Sequence, residues 1–220
     1  MKRGIIFDMD GTLWDSAENV AKSWNVAIRQ CGVREKELTT QDIQGVMGKT
    51  MDVIADILFA EFPEEKRRLL LKECCQVEND YLREHGGILY DHVPQTLAAL
   101  KQDGYHLSIV SNCQKGYIEA FLDHYDLWEL VEDIECYGNN LRQKGKNIRL
   151  VVERNQLDEA VYVGDIQGDY DASRAAGVGF IHAAYGFGEI AEPVPELKTF
   201  ADLKTFDISS ASKTQSAWTM

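Results

Sequence analysis

Residues 4–15 read Gly4-Ile5-Ile6-Phe7-Asp8-Met9-Asp10-Gly11-Thr12-Leu13-Trp14-Asp15. Gly4 to Phe7 is a short, mostly apolar run without alternation, which predicts a strand buried on both faces of a parallel sheet. Two aspartates follow at i and i+2. If the strand ends at Asp8, both lie beyond its carboxyl edge, where α/β sheets carry their ligands. Gly11 lets the backbone turn and its N–H groups approach an anion. Carboxylates this close repel each other and need a shared cation, a shared proton or separate roles. A hard cation such as Mg²⁺ answers the repulsion, and it commonly binds phosphate as well. The plainer alternative is a solvated turn that caps the next helix.

The chain has 220 residues, 45% hydrophobic and 27% charged, which suits one large domain or one domain with an insert. A net charge of −13 argues against nucleic acid or acidic membranes as partners. The apolar run after Lys2 and Arg3 is too short for a secretion signal, and no stretch reaches the length of a membrane span. Five cysteines, odd in number and without a CxxC pair, fit reduced thiols and a cytoplasmic setting, with no structural zinc. Oligomeric state is left open.

From Leu13 onward the pattern is helical for some seventy residues. Val20, Trp24, Ala27, Ile28 and Cys31 recur at helical spacing behind a cap at Asp15 or Ser16. Further helices are predicted near Thr40, from about Met51 to Phe62, and from Glu64 to about Glu84. Strand and helix alternation then resumes, with strands at Leu107–Val110, Ile134–Cys136, Val161–Val163 and Phe180–His182. Helices are expected after Val93-Pro94, over Tyr117–His124, over Ile148–Arg154 and from about Tyr170 to Ala176. The predicted architecture is α/β: a doubly wound parallel sheet built from 1–14 and 86–208, an all-helical cap inserted at 15–85, and a loose tail at 209–220.

Other polar groups fall at strand ends. The second core strand runs into Ser111-Asn112, where a hydroxyl can donate to a phosphate oxygen, although a helix cap is the commoner role. The strand at Val161–Val163 is followed by Gly164-Asp165-Ile166-Gln167-Gly168-Asp169. These two further carboxylates would be costly beside Asp8 and Asp10 without a cation. Arg142, Lys144, Lys146 and Arg149 lie between.

The stretch DMDGT resembles the signature of the haloacid dehalogenase-like (HAD) hydrolases. Ser111, a lysine before the next helix, and GDxxGD follow in that family's order. The helical insert and Gly186-Phe187-Gly188 resemble the phosphoglycolate phosphatase and β-phosphoglucomutase branch. The resemblance implies a Mg²⁺-dependent phosphatase acting on a small phosphorylated metabolite. Asp8 would be the nucleophile and Asp10 the acid/base. Ser111, Asn112 and a lysine would bind phosphate. Lys144 and Lys146 both qualify, and Lys144 is favoured because Lys144-Gly145 begins the turn into its helix. Asp8, Asp165 and the Asp10 carbonyl would hold the metal, with Asp169 in support. Lys49, in the loop Gly48-Lys49-Thr50 of the insert, is the candidate reader of the leaving group. A phosphomutase would use the same residues. A dehalogenase fits the acid cluster poorly. A phospho-accepting receiver module would carry its aspartate on a later strand, and a non-catalytic binding module would be expected to lack Asp8 or Asp10.

Overall fold

The computed structural model describes residues 1–33, 35–208 and 211. In chain order the strands are β1 (Arg3–Phe7), β2 (Trp14–Asp15), β3 (Ile88–Leu89), β4 (His106–Ser111), β5 (Asp133–Cys136), β6 (Glu159–Gly164), β7 (Gly179–Ala183) and β8 (Glu196–Leu197). The helices are α1 (Ala17–Gln30), α2 (Thr40–Gln44), α3 (Met51–Leu58), α4 (Glu64–His85), α5 (Val93–Gln102), α6 (Tyr117–Tyr125), α7 (Tyr137–Asn140), α8 (Lys144–Arg154) and α9 (Gln167–Ala176).

Six strands form one parallel sheet in the order β5-β4-β1-β6-β7-β8. The chain leaves β1, builds outward through β4 and β5, then returns to the other side of β1 for β6. That reversal opens a crevice at the carboxyl end of β1, the usual ligand position in such sheets. Register brings the flanking strands level there, since Phe7 pairs with both Ile109 and Val163.

The lack of alternation in β1 has a direct cause. Ile5 and Phe7 pack into the core on one face, with Leu97, Phe121 and Phe200. Ile6 packs into the core on the other face, with Ile148, Val151 and Tyr162. Both faces are dry, so apolar residues are favoured at every position.

Between β2 and β3 everything regular is helical. β2 and β3 pair antiparallel, Trp14 opposite Leu89 and Asp15 opposite Ile88, so the outgoing and returning chains are tied together. Trp14 is fully buried and meets the edges of Tyr117 and Phe121 at 5.5 and 5.0 Å between ring centres. Trp24 of α1 stacks on Phe59 at 5.9 Å. α4 packs on α6, where Asn79 Nδ2 donates to the Lys115 carbonyl at 2.8 Å and Arg83 pairs with Asp123 at 2.9 Å.

Several element bounds differ from the sequence reading. α3 stops at Leu58, and residues 59–62 form a turn closed by Phe62 N–H on the Phe59 carbonyl, because Pro63 disfavours a helical residue before it. α8 begins at Lys144, four residues early. Gly145, read as part of a turn, lies inside the helix, where the lack of a side chain lets it pack on Ala172 and Ala175 of α9. α9 begins at Gln167 because Asp169 accepts from N–H groups ahead of it. β2, β3 and β8 hold two residues each, too few to show periodicity. The expected tail at 209–220 lies outside the described residues except Ala211, which is buried. All five cysteines are free. Among the described residues no helix is long and apolar enough to cross a membrane.

Ile6→Ala removes a fully buried side chain at the sheet centre and should cost about 2–5 kcal/mol. Ile88→Ala, at a position 64% exposed, should stay within about 0.5 kcal/mol. Urea unfolding midpoints compare the two, and equal losses would contradict this core.

Candidate active site

Asp8 follows β1 directly, and its N–H still donates to the Val163 carbonyl at 2.9 Å, which holds it against β6. Asp165 follows β6, and Asp169 sits in the first turn of α9. All three are buried, and one oxygen from each lies within 4.8 Å of the others. Lys144, from the first turn of α8, is 4% exposed. Its Nζ donates to Asp169 Oδ1 at 2.6 Å and forms an ion pair with Asp8 Oδ1 at 3.0 Å. Lys146 is exposed, so the structure brings only Lys144 of that pair to the site.

Two other contacts fix the cluster. Asp169 Oδ2 accepts from the N–H groups of Asp165 and Ile166 at 3.1 and 3.2 Å. Asp165 Oδ2 accepts from Phe187 N–H at 2.7 Å, which gives the Gly-Phe-Gly loop a position at the site. The loop after β1 passes so close that a Cβ at Gly11, where φ is +79°, would collide with the Asp165 carboxylate. Glycine is required there by both conformation and space.

Asp10 is held differently. Its Oδ1 accepts from Ser16 Oγ and Tyr117 Oη, both at 2.7 Å, and those hydroxyls lie 2.8 Å apart. Its carboxylate is not part of the three-acid cluster. Ser16, expected as a helix cap, makes no capping bond, and Asp15 Oδ1 accepts from Ala17 N–H instead. Ser16 and Tyr117 belong to no motif and are a hundred residues apart, so the sequence carried no signal linking them to Asp10.

A cleft of about 500 Å³, open to solvent, connects these groups to the helical insert. Asp8, Asp10 and Ser111 line its floor, while Lys49, Trp24 and Glu78 come from the insert. Ser111 ends β4 and is nearly buried. The sequence reading placed Asn112 on phosphate. In the structure its Nδ2 donates to the Gly48 carbonyl at 2.8 Å, and its Oδ1 is buried without a partner. Lys49 is exposed at the cleft.

Burial and the neighbouring Asp169 push Asp8 up to about 7, against a downward pull from Lys144. Burial, Asp169 and Asp8 push Asp165 up to about 8. Burial raises Asp10 to about 6, opposed by the hydrogen bonds from Ser16 and Tyr117. Burial pulls Lys144 down, but Asp169 and Asp8 more than offset it, and its pKa ends above the ordinary lysine value. One ammonium touching the cluster therefore under-compensates three buried carboxylates. An all-oxygen set with a surplus of negative charge over the single ammonium fits a hard divalent cation such as Mg²⁺.

Fold and site together define an enzyme that works at the carboxyl edge of a parallel sheet. The family model described as haloacid dehalogenase-like hydrolase matches residues 5–183, a range that includes Asp8, Ser111, Lys144 and Asp165. The chain belongs to that family. A curated relative named phosphoglycolate phosphatase, from Aquifex aeolicus, is 25% identical over 88% of this chain and 90% of its own length. Another of that name, from Salmonella typhimurium, is 26% identical over 91% and 90%. Among solved structures, a predicted phosphoglycolate phosphatase from Haemophilus somnus superposes with a TM-score of 0.79 at 22% identity, covering 93% of this chain and 97% of that one. CbbY from Rhodobacter sphaeroides, solved with xylulose-1,5-bisphosphate, gives 0.77 at 19% identity over 92% and 96%.

In metal-free protein, Asp165 binds its proton up to about pH 8 when folded, against an ordinary value of 3.8. The folded state then holds more protons than the unfolded chain, so stability falls as pH rises through that window. Urea melts in chelator at pH 5 and pH 8 should show the fall, and Asp165→Asn should shrink it. An undiminished fall in the variant would contradict the assignment.

Proposed function

We propose that the chain is a Mg²⁺-dependent phosphatase that hydrolyses a small phosphomonoester through an aspartyl phosphate on Asp8. The observation that carries this reading is the separation of two aspartates only two residues apart. Asp8 sits in the acid cluster against Lys144, whereas the Asp10 carboxylate lies outside that cluster and accepts from two hydroxyls. This separation supports a nucleophilic role for Asp8 and a proton-carrying role for Asp10. The relatives named phosphoglycolate phosphatase support hydrolysis of a phosphomonoester.

In the first step an Asp8 oxygen bonds to phosphorus, the bond to the ester oxygen breaks, and Asp10 gives that oxygen its proton. In the second, Asp10 takes a proton from water, the water oxygen bonds to phosphorus, and the bond to Asp8 breaks to release phosphate. A pKa of about 6 lets Asp10 serve in both directions near neutral pH. Ser111 Oγ and Lys144 Nζ would donate to the transferring oxygens, where charge spreads in the transition state. Mg²⁺, when bound by Asp8, Asp165 and the Asp10 carbonyl with Asp169 supporting them, supplies positive charge that keeps Asp8 ionised and offsets the phosphoryl charge.

Residues 15–85 serve as the cap in this reading. The β2–β3 ribbon anchors it, the Asn112–Gly48 bond latches it over the site, and Lys49 meets the leaving group from its exposed edge.

Chelation should abolish turnover, and Mg²⁺ should restore it. Asp10→Asn should lose roughly 10²–10⁴-fold for each proton transfer. With an aryl phosphate whose leaving group needs no proton, that variant should release a burst near one phenol per site and then stall. Asp8→Asn should give no burst. Identical flat traces from both variants would remove the acid/base role of Asp10.

A further inference from the structure

The wall of the cleft facing Asp8 and Asp10 is apolar, formed by Val20, Trp24, Ile43, Val46, Met51 and Ile54. Set into this wall is one acidic side chain that the proposed chemistry does not use. Glu78 comes from the middle of α4 and is 3% exposed. Its Oε2 accepts from Trp24 Nε1 at 2.5 Å, and Gln114 also hydrogen-bonds its carboxyl. Among the described residues no lysine or arginine pairs with it. The titratable groups around it are Cys74 and Cys75 on its own helix, Asp10 from the loop after β1 and Tyr117 from α6. None of these supplies positive charge.

We propose, resting on the phosphatase reading, that Glu78 determines the class of leaving group: an uncharged group whose far end carries a hydroxyl, with distal carboxylates and phosphates excluded. A second anion pushed toward this wall would exchange water for aliphatic carbon and a carboxyl group, with Asp8 and Asp10 already behind it. An unpaired charge in such surroundings is strongly disfavoured. Lys49 stands at the exposed edge, where water and salt screen its charge. A hydroxyl can donate to or accept from the Glu78 carboxyl and carries no charge to desolvate. Burial pushes Glu78 up to about 8, so near neutral pH it is chiefly the uncharged acid and has a proton to donate. The reading sets this chain apart from relatives named for phosphoglycolate, whose leaving group carries a carboxylate.

The test uses the full chain with Mg²⁺ and four esters: 2-hydroxyethyl phosphate, phosphoglycolate, 2-aminoethyl phosphate and methyl phosphate. The first three differ only at the far end of the leaving group, and the last has no far end. The hydroxyethyl ester should exceed phosphoglycolate and the aminoethyl ester in kcat/KM by about tenfold or more. Glu78→Met should raise KM for the hydroxyethyl ester by about tenfold, leave kcat and methyl phosphate unchanged, and be rescued by Glu78→Gln. Preference for phosphoglycolate or for the aminoethyl ester would overturn the proposal, and so would a Glu78→Met loss shared equally by methyl phosphate. If no ester releases phosphate, the phosphatase reading fails separately. Calorimetry then compares 3-hydroxypropylphosphonate with 3-phosphonopropanoate. Tighter binding of the hydroxyl compound upholds the proposal, and tighter binding of the carboxylate overturns it.

Discussion

Mutual repulsion among buried carboxylates is the constraint around which this molecule is arranged. Asp8, Asp165 and Asp169 converge where the sheet changes direction, and among the described residues Lys144 alone touches them with positive charge. Such a cluster survives burial only if the backbone fixes it and something compensates it. The backbone does its part through the N–H groups of Asp165, Ile166 and Phe187, which donate to Asp169 and Asp165. Full compensation calls for a cation, and a cation beside an anionic substrate is what phosphoryl transfer needs.

The rest of the fold serves that arrangement. Strand order places β1 between β4 and β6, so that Asp8, Ser111 and Asp165 reach one edge from three neighbouring strands. Glycine at position 11 lets the β1 loop lie against Asp165. The helices between β2 and β3 then bring a largely apolar lining to the cleft, with Glu78 buried in it and Lys49 exposed beside it. In the proposed reading, chemistry and selection come from different parts of the chain. The floor is built from strand ends, and the wall from α1 to α4.

Much of this was legible in the sequence because it is local. Ile5-Ile6-Phe7 followed by Asp8 is a buried strand with a carboxylate at its end, and GDxxGD repeats the pattern at β6. The helical run between β2 and β3 was legible because helical spacing persists there where a parallel sheet would alternate. Lys144 was favoured over Lys146 on a turn that the structure replaces with the first turn of α8, and what separates them is tertiary contact with Asp8 and Asp169. Gly145 was misread because a glycine that permits close helix packing looks identical to one that makes a turn. The Ser16–Tyr117–Asp10 triangle and the Trp24–Glu78 bond join residues 101 and 54 positions apart, and no periodicity encodes such pairs. The Asn112–Gly48 bond joins residues 64 positions apart and was likewise invisible in the sequence.

The central claim is that Asp8, and no other side chain, takes the phosphoryl group. An acyl phosphate is reduced by borohydride to an alcohol, which would convert Asp8 into homoserine. The direct measurement is acid quench of the enzyme during turnover of an aryl phosphate with Mg²⁺, then borohydride reduction and peptide mass spectrometry. The account predicts homoserine at position 8 and nowhere else, absent when substrate is omitted. Steady turnover with an unmodified Asp8, or with the modification at Asp10, Asp165 or Asp169, would contradict it.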